Sequence, residues 1–501
     1  SDSSGRPGFF GCRSCSDRHR LVSGESPAAS LGAAGLFRTD QRGALLGCLE
    51  EKKPVPPRGG VRAGGLFRRV ATVIGRLVGW FVDLEDDDEL KGMLWAAVYG
   101  FLIMLASYVL RAVRDEISAE DRGNLQILWT VVFFVMVFVA VPAYSWIASR
   151  YSRGVFVPLV NRFFIACLIG FWASLVYLPE DARPWIDRVF YVWASIFALF
   201  VVTVFWGLVA DCFDNAQGKR LFPFITVGAS VGGIVGSMVT IWLAEQVPVF
   251  YLLLIACVPL EAASWFAGAL HRKFGTSTVT SAGEAERPLA GDAISGMKAV
   301  FDSPYLASIA GFIALMTFAS TILYFAQSDL VYEAMTDRGE RTAFLAKIDL
   351  TVNSLTILFQ VYLTALIIRW LNVGVALALI PVAVAIGFVV LGLYPTLATL
   401  VVVQVVYRVG RYGITKPARE VLFTVLPREA KYKSKAFIDA GVYRGGDLVS
   451  GWVYAGLAWV GLSLGVIALV AAPVAAVWAI AGLKLGSRGD AMAAAVQGDS
   501  S

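Results

Sequence analysis

The segment from Asp214 to Gly236 reads "DNAQGKRLFPFITVGASVGGIVG" and combines a Gly-Lys pair with regularly spaced glycines in an apolar setting. The order of residues excludes a P-loop, because the Gly-Lys precedes the glycines and no Ser or Thr follows the lysine to hold magnesium. Gly228, Gly232 and Gly236 are spaced four residues apart, the small-xxx-small pattern that lets membrane helices approach closely. We therefore predict that these three glycines serve helix packing.

The same segment has a second copy in the chain. A shift of 213 positions places "FITVGASVGG" (224–233) on "FIDAGVYRGG" (437–446), with matching Phe, Ile, Gly and Gly-Gly. A shift of 211 positions pairs the Gly-Phe dipeptide at 100–101 with the one at 311–312. Two nearly equal offsets are expected of a duplicated bundle of helices, so the chain is predicted to consist of two related halves.

The composition places these halves in a membrane. Of the 501 residues, 57% are hydrophobic and 16% are charged, and the mean hydropathy is +0.66. These values lie outside the range of soluble globular proteins. The net charge of +5 is too small to indicate a nucleic-acid partner.

Twelve apolar segments are long enough, or nearly so, to cross a bilayer as helices of about 20 residues. They lie near 94–114, 125–148, 155–178, 186–210, 222–245, 248–270, 305–330, 345–370, 373–394, 396–422, 436–459 and 462–484. A polar stretch separates the sixth segment from the seventh. The predicted fold is an all-α membrane protein with twelve transmembrane helices in two pseudo-symmetric six-helix bundles.

Composition and charge also divide the chain into regions. We predict a disordered cytoplasmic tail at 1–65, an interfacial amphipathic helix and acidic linker at 66–90, an N-terminal bundle at 91–270, a cytoplasmic central loop at 271–304, a C-terminal bundle at 305–485 and a cytoplasmic tail at 486–501. Lys and Arg collect in the loops that follow the even-numbered spans, while acidic residues prevail in the others. Because positive charge marks the cytoplasmic side, both termini are predicted to be cytoplasmic.

Enzymatic and metal chemistry are disfavoured by the residues available. Cys12 and Cys15 have the spacing of half a zinc site, with His19 nearby, but no second pair completes four ligands. The chain has only two histidines, no HExxH motif and no pairing of a nucleophile with a base. We therefore predict no metal, no cofactor and no enzymatic activity.

Arginines in the first span carry the first functional hypothesis. Arg111 and Arg114 are three residues apart and thus share a helix face, and Asp115 and Glu116 follow at once. They form an anion clamp in a central cavity if they lie within the bundle. They have merely reached the outer headgroups if the span ends at Arg111.

The tenth span carries the densest charge. Arg408 and Arg411 are again three residues apart, and Lys416 and Arg419 follow. Because lipid cannot face all of these groups, we predict that Arg408 and Arg411 point into an aqueous pathway, where guanidinium groups grip phosphate or carboxylate oxygens. The eleventh span offers pairing groups in Asp439, Arg444 and Asp447, and a structural ion-pair network is an equally good interpretation of the whole set.

Further polar residues complete the predicted site. The predicted substrate-binding residues are Arg111, Arg114, Arg408, Arg411, Lys416 and Gln327. The predicted gate or ion-pair residues are Asp211, Lys219, Arg220, Asp439, Arg444 and Asp447. The candidate proton sites are Asp115, Glu261 and Asp329, and Lys347, Asp349, Asn353 and Gln360 are expected to add polar lining on the eighth span.

Three segments resemble a known family. They are "VLRAVRDE", "FWGLVADCFDNAQGKRLFPFITVGASVGGIVG" and "ITKPAREVLFTVLPREAKYKSKAFIDAGVYRGGDLVSG". They are similar to the ATP/ADP translocases, a nucleotide transporter family of plastids and intracellular bacteria within the major facilitator superfamily, and this chain resembles the bacterial branch over about 90–485. The resemblance implies alternating access, exchange of nucleoside triphosphate for diphosphate and basic residues that coordinate phosphate at Arg111, Arg114, Lys219, Arg408, Arg411 and Lys416.

The sequence thus predicts a secondary transporter of a phosphorylated anion, with a nucleotide as the first candidate, in a bacterial inner membrane. The expected partners are the substrate and membrane lipids, with no nucleic acid and no implied oligomer. One alternative is a proton-coupled carrier of another organic anion. Another is a non-transporting scaffold that recruits partners through the basic tail and the interfacial helix.

Overall fold

The computed structural model describes residues 87–151, 153–275, 297–360, 372–424, 426, 434–435 and 437–498. The predicted tail at 1–65 lies outside these residues, as does the interfacial helix and linker up to residue 86. Within the described part, regular structure is entirely helical. The pattern of hydrophobic residues therefore predicted the all-α fold class correctly.

Fourteen α-helices of the described part are used below. They are α1 (Asp87–Glu120), α2 (Leu125–Val135), α3 (Val141–Arg150), α4 (Arg153–Tyr177), α5 (Arg183–Cys212), α6 (Asn215–Ala244), α7 (Tyr251–Phe274), α8 (Pro304–Ala334), α9 (Arg338–Leu358), α10 (Val373–Leu393), α11 (Leu397–Gly410), α12 (Lys416–Leu422), α13 (Tyr443–Trp459) and α14 (Leu464–Gly498). Turns of π-helix join α2 to α3 at Met136–Ala140 and α11 to α12 at Arg411–Thr415, and a third at Ile438–Val442 precedes α13.

Ten helices in the described part are long and apolar enough to span a membrane. The predicted eighth and eleventh spans are the two that do not meet this criterion there. The eighth corresponds to α9, which carries several charges and is followed by residues outside the described part. The eleventh corresponds to α13, which has 17 residues.

Three helix boundaries differ from the sequence prediction. The first helix begins at Asp87, within the region assigned to the linker, and continues to Glu120, well past the predicted end at 114. The last helix runs to Gly498, so the region from 486 is largely helical rather than an irregular tail. The extra turns of α1 place Arg111 and Arg114 inside the bundle instead of at its rim.

The two halves repeat the same helix packing. In the first half α6 packs on α1, and in the second half α13 packs on α8. A Cβ at Gly233 would meet Tyr108 of α1, and one at its counterpart Gly446 would meet Thr317 and Ala314 of α8, so this position of the duplicated Gly-Gly pair faces equivalent helices. Contacts of α6 with α9 and of α2 with α13 join the halves.

The glycines of the opening segment lie where α6 meets α1. A Cβ at Gly228 would lie 2.7 Å from the Ala97 carbonyl oxygen, one at Gly232 2.2 Å from that of Phe101, and one at Gly236 2.6 Å from that of Leu105. These atoms belong to backbone, which cannot move aside as a flexible side chain would. The four-residue spacing thus keeps one face of α6 free of side chains for close approach.

Replacing Gly232 by alanine should lower the free energy of unfolding by about 1–3 kcal/mol, because the added methyl group must push α6 away from α1. Denaturant unfolding of the purified protein in detergent measures this loss. The control is Gly170→Ala on α4, where an added Cβ would have no neighbouring atom within 4 Å. Equal losses in the two variants would contradict the packing role.

Candidate functional site

The arginine of the first half reaches across to the second half. Arg111 on α1 places its Nε 3.2 Å from Oδ2 of Asp349 on α9 and 3.6 Å from Oδ2 of Asp115. Its side chain remains 31% exposed. The neighbouring Tyr108 donates a hydrogen bond of 2.9 Å to Oδ1 of Asn353, one turn after Asp349. The clamp interpretation of Arg111 therefore has the required position, since this group lies between the halves and not at the headgroups.

The second half supplies its own arginine to the same carboxylate. Nη2 of Arg408 on α11 donates to Oδ1 of Asp349 over 2.5 Å. Asp349 is 3% exposed, so both contacts are made in a largely water-free environment. One carboxylate thus joins a cation of α1 to a cation of α11.

Arg411 lies next to this pair and is held by aromatic residues. Its Nη2 donates to the hydroxyl of Tyr443 over 2.5 Å, and its guanidinium lies 5.5 Å from the ring centre of Tyr412. The hydroxyl of Tyr412 interacts electrostatically with four cations, which are Arg411, Arg111, Arg408 and Lys416. Cations of both halves therefore converge on Tyr412, and Lys416 is the exposed member of the set.

Backbone irregularity positions these side chains. The π-turn Arg411–Thr415 inserts one residue per turn relative to an α-helix, and this rotates the groups that follow it. Gly410 allows the turn to pack tightly, since a Cβ there would lie 2.1 Å from Ile380. A second π-turn at Ile438–Val442 leads into α13 and sets Tyr443 against Arg411. π-turns are common at functional sites, and the sequence pattern did not reveal either one.

Behind this layer, Arg114 and Asp115 form a buried network. Arg114 donates to Oδ1 of Asp115 over 2.7 Å, and Tyr324 of the second half donates to the same oxygen over 3.0 Å. The Tyr324 hydroxyl lies 3.3 Å from that of Tyr191, which accepts a hydrogen bond from Trp129. Arg114 is 18% exposed and Asp115 6%, so this pair supports the site from behind.

Two other predicted residues of α13 lie beside Arg411. The carboxylate of Asp447 interacts electrostatically with Arg444 and with Arg411. Both residues are half-buried. Asp447 of α13 thus brings a negative charge toward Arg411 of the tenth predicted span.

Gln327 lies away from the arginines. It is 3% exposed and accepts a hydrogen bond of 2.5 Å from Gln404, so the pair forms a polar contact within the second half. Of the predicted substrate-binding residues, Arg114 lies behind the cluster around Tyr412, and Gln327 lies away from the arginines altogether.

The predicted inner-gate residues pair within their own halves. Nη2 of Arg220 lies 3.1 Å from Glu89 of α1, and Nη1 of Arg419 lies 3.0 Å from Asp439. Asp211 lies at the end of α5 and is half-buried, whereas the side chain of Lys219 lies outside the described residues. In this structure Arg220 therefore contacts an acid of its own half, and its role in a gate stays a prediction.

The candidate proton sites lie in three different environments. Asp115 belongs to the buried network described above. Glu261 is 52% exposed and pairs with Arg162 on the outside of the bundle, 2.9 Å away. Asp329 accepts a hydrogen bond from Tyr454 and lies 3.6 Å from Arg122, near the loop that follows α1.

A second charged cluster was not recognised in the sequence. Glu116 is fully buried and accepts hydrogen bonds from Arg338, the shortest 2.7 Å, and from Arg341 at 3.0 Å. Arg338 also donates to Asp187 over 2.9 Å, and Arg341 to Glu120. We call these five residues the outer latch, because they join α1 and α5 of the first half to α9 at the end predicted to be extracytoplasmic. The sequence signal was weak, since acids and arginines are ordinary in loops.

The outer latch shows which end of the bundle is closed. Among the described side chains, every ion pair between the halves lies either at this outer end or at Asp349. Ser118 and Ser328 also meet across the outer end, with 3.0 Å between their hydroxyl oxygens. The bundle is thus held closed at the outer end, with the cluster around Tyr412 below the closure.

Comparison with known proteins identifies the architecture. No family model and no curated protein sequence matches the chain. Solved structures that match over nearly their whole length include three transporters. A nucleoside transporter, NupG, is 13% identical over 80% of this chain and 99% of its own, with a TM-score of 0.59. The inward-open xylose transporter XylE from E. coli is 14% identical over 79% and 96%, with a TM-score of 0.57.

The POT family transporter PepTSo is 12% identical over 80% of this chain and 98% of its own, with a TM-score of 0.57. These three proteins are transporters with the major facilitator architecture. The prediction of an all-α membrane fold with two related bundles is confirmed, whereas the count of twelve spans is not. The chain is a multi-pass membrane protein with the fold of the major facilitator superfamily.

Proposed function

We propose that this chain is a secondary active transporter that moves a small phosphorylated anion by alternating access, with exchange as the main mode and nucleotides of the ATP/ADP type as the first candidates. The observation that carries the proposal is that Arg111 of the first half and Arg408 of the second half contact the same carboxylate, Asp349, with Arg411 one turn beyond Arg408. A ligand bound by both halves is the requirement for a carrier whose halves rock about a central site.

The charge of the cluster favours an anion with more than one negative charge. Its half-buried and buried members are five guanidinium groups and three carboxylates, namely Arg111, Arg114, Arg408, Arg411, Arg444, Asp115, Asp349 and Asp447. The excess is two positive charges, and Lys416 adds a third at the exposed edge. Guanidinium groups bind phosphate oxygens in pairs, and their attraction is strong where water is scarce.

Nucleotides are the first candidates for two reasons. The three quoted segments resemble the ATP/ADP translocases, and Tyr108, Tyr412 and Tyr443 offer ring faces beside the arginines on which a base can stack. NupG is a nucleoside transporter by name, and its low identity supports the shared fold alone. The distribution of positive charge supports cytoplasmic termini, and the resemblance to the bacterial branch of the family supports a bacterial inner membrane.

Counterflow tests the proposal. Proteoliposomes preloaded with ADP should take up labelled ATP faster than vesicles without internal nucleotide, and faster than protein-free vesicles. Absence of uptake under several pH and sodium gradients would overturn the nucleotide assignment. Stabilisation of the purified protein by other phosphorylated metabolites would then identify the anion that binds.

A second candidate is a proton-coupled carrier of another organic anion. The buried carboxylate of Asp115 supports it, because Tyr324 of the opposite half donates to this group and a change in its protonation would be felt by both halves. Uptake that requires a pH gradient and no internal nucleotide would favour this carrier over the exchanger.

A further inference from the structure

Asp349 makes direct contacts that no local sequence pattern predicted. It is a lining residue of α9, yet its two carboxylate oxygens contact two arginines from different halves, Arg111 at 3.2 Å and Arg408 at 2.5 Å. The contact with Arg111 crosses the plane along which the halves must separate. Asp349 therefore stands where an anionic oxygen of a substrate would stand between the same two cations.

The rest of its surroundings hold α9 in this position. Asn353, one turn further along the same face, accepts a hydrogen bond from Tyr108 of α1. A Cβ at Gly233 of α6 would lie 2.8 Å from Tyr108 and 3.3 Å from Asn353, so the three helices meet tightly. Because these contacts fix the backbone of α9, the short side chain of Asp349 is held beside Arg111.

The contact with Arg111 is electrostatic but incomplete. Nε of Arg111 is buried and has no hydrogen-bond partner, although the carboxylate of Asp349 is near. An unpaired donor of a charged group is unfavourable when buried, so an anion that supplies well-directed oxygens gains the missing hydrogen bond. Asp349 thus neutralises Arg111 without saturating it, and a substrate phosphate can displace it.

This arrangement bears on how the empty carrier moves. A carrier that changes its open side passes through a state in which both ends are closed and water has left the centre. Unpaired charges in such a centre are strongly unfavourable. A bound anion neutralises the arginines during loaded passage, and in the empty protein Asp349 is the described group that does so for Arg111 and Arg408 together.

We propose, on the basis of the proposed function, that Asp349 is an internal counter-anion that substitutes for the substrate and allows the empty carrier to reorient. Its presence gives the protein net transport in addition to exchange. Without it Arg408 has no carboxylate partner among the described side chains and Arg111 keeps only Asp115, 3.6 Å away, so the empty carrier is confined to the state in which these arginines are hydrated. Exchange then becomes obligatory, because only the loaded form crosses.

A labelling experiment tests this without any substrate. Ser328 is 2% exposed at the outer closure, so a cysteine there reacts with a maleimide only when the outer end opens. Ser328→Cys is introduced after replacement of the six native cysteines, and labelling is followed in nanodiscs without added anion. We expect Asp349→Asn to lower the labelling rate at least about tenfold and Asp349→Glu to restore most of it. An unchanged rate in Asp349→Asn would overturn the proposal.

Transport in proteoliposomes gives the second readout. Wild-type protein should release labelled ADP into nucleotide-free buffer, with the membrane potential clamped, and should also exchange it for external ATP. Asp349→Asn should lose at least about tenfold in net release while exchange persists, with a KM lowered several-fold because the site gains one positive charge. Equal loss of both modes would contradict the counter-anion role.

A control variant completes the experiment, and failure of the proposed substrate can be distinguished from failure of the counter-anion role. Asp88→Asn removes a carboxylate from an exposed ion pair with Lys91 at the start of α1 and should leave both modes at their wild-type ratio. If wild-type protein exchanges no nucleotide while labelling still depends on Asp349, the proposed substrate is wrong and the counter-anion role stands. If exchange is present and labelling does not depend on Asp349, the proposed substrate stands and the counter-anion role is wrong.

Discussion

Replacing Arg411 by alanine is expected to lower kcat/KM for the transported anion at least about 100-fold. The guanidinium of Arg411 is positioned by the Tyr443 hydroxyl and lies over Tyr412, with no carboxylate hydrogen-bonded to it among the described side chains. Its donors therefore remain available to the substrate. Loss of two charge-assisted hydrogen bonds of about 1.5 kcal/mol each corresponds to about a factor of 100.

Initial rates of labelled ATP uptake into ADP-loaded proteoliposomes measure this effect. Arg411→Lys retains the charge and loses the planar fork, so it should recover only part of the activity. The matched control is Arg488→Ala, because Arg488 is exposed and bonds to Ser308 at the inner end, away from the cluster. If Arg411→Ala transported as fast as this control, Arg411 would not belong to the anion site.

Replacing Glu116 by glutamine is expected to shift the protein toward opening at the outer end by about two orders of magnitude. The buried carboxylate receives hydrogen bonds from Arg338 and Arg341, and its neutral replacement leaves both cations underpaired. Breaking a buried ion pair by removing one partner is unfavourable by about 3–5 kcal/mol. Because the halves separate at this end when the carrier opens outward, most of that penalty falls on the closed state.

Labelling of Ser328→Cys in the same cysteine-free background reports this shift. The rate should rise about 100-fold in Glu116→Gln. Glu333→Gln serves as the control, because Glu333 pairs with Arg122 at the same end but is 62% exposed, and exposed pairs contribute about 1 kcal/mol or less. Similar rates in the two variants would show that the outer latch does not hold this end closed.

The arginines of the site were predictable from the sequence because arginine is rare within apolar membrane spans. Charged side chains within apolar spans are unfavourable unless they face protein or water, so Arg111, Arg408 and Arg411 stood out from the sequence. The glycines of α6 were predictable for a related reason, since their four-residue spacing matches one helix face. In both cases a local pattern of residue types carried the information.

The ion-pair partners of these arginines and the closed end of the bundle were less predictable from the sequence. Asp349 and Glu116 are separated from their arginines by 238 and 222 positions along the chain, and no local spacing relates such pairs. The outer latch was concealed by its position at helix ends, where charges are ordinary. Arg220 pairs with Glu89, 131 positions away, and no local spacing indicated this contact.

A duplicated, all-helical membrane protein with cations in its spans could be inferred from the sequence alone, because hydropathy, helical period and the rarity of buried charge are properties of short stretches. Which end is closed, and which acid neutralises which arginine, became known from the packing of the helices. Those contacts depend on the rotation of whole helices, which the π-turns at Arg411–Thr415 and Ile438–Val442 alter by one residue. A change of one residue turns a side chain by about 100° around a helix, and this is enough to exchange a lipid-facing position for one in the central site.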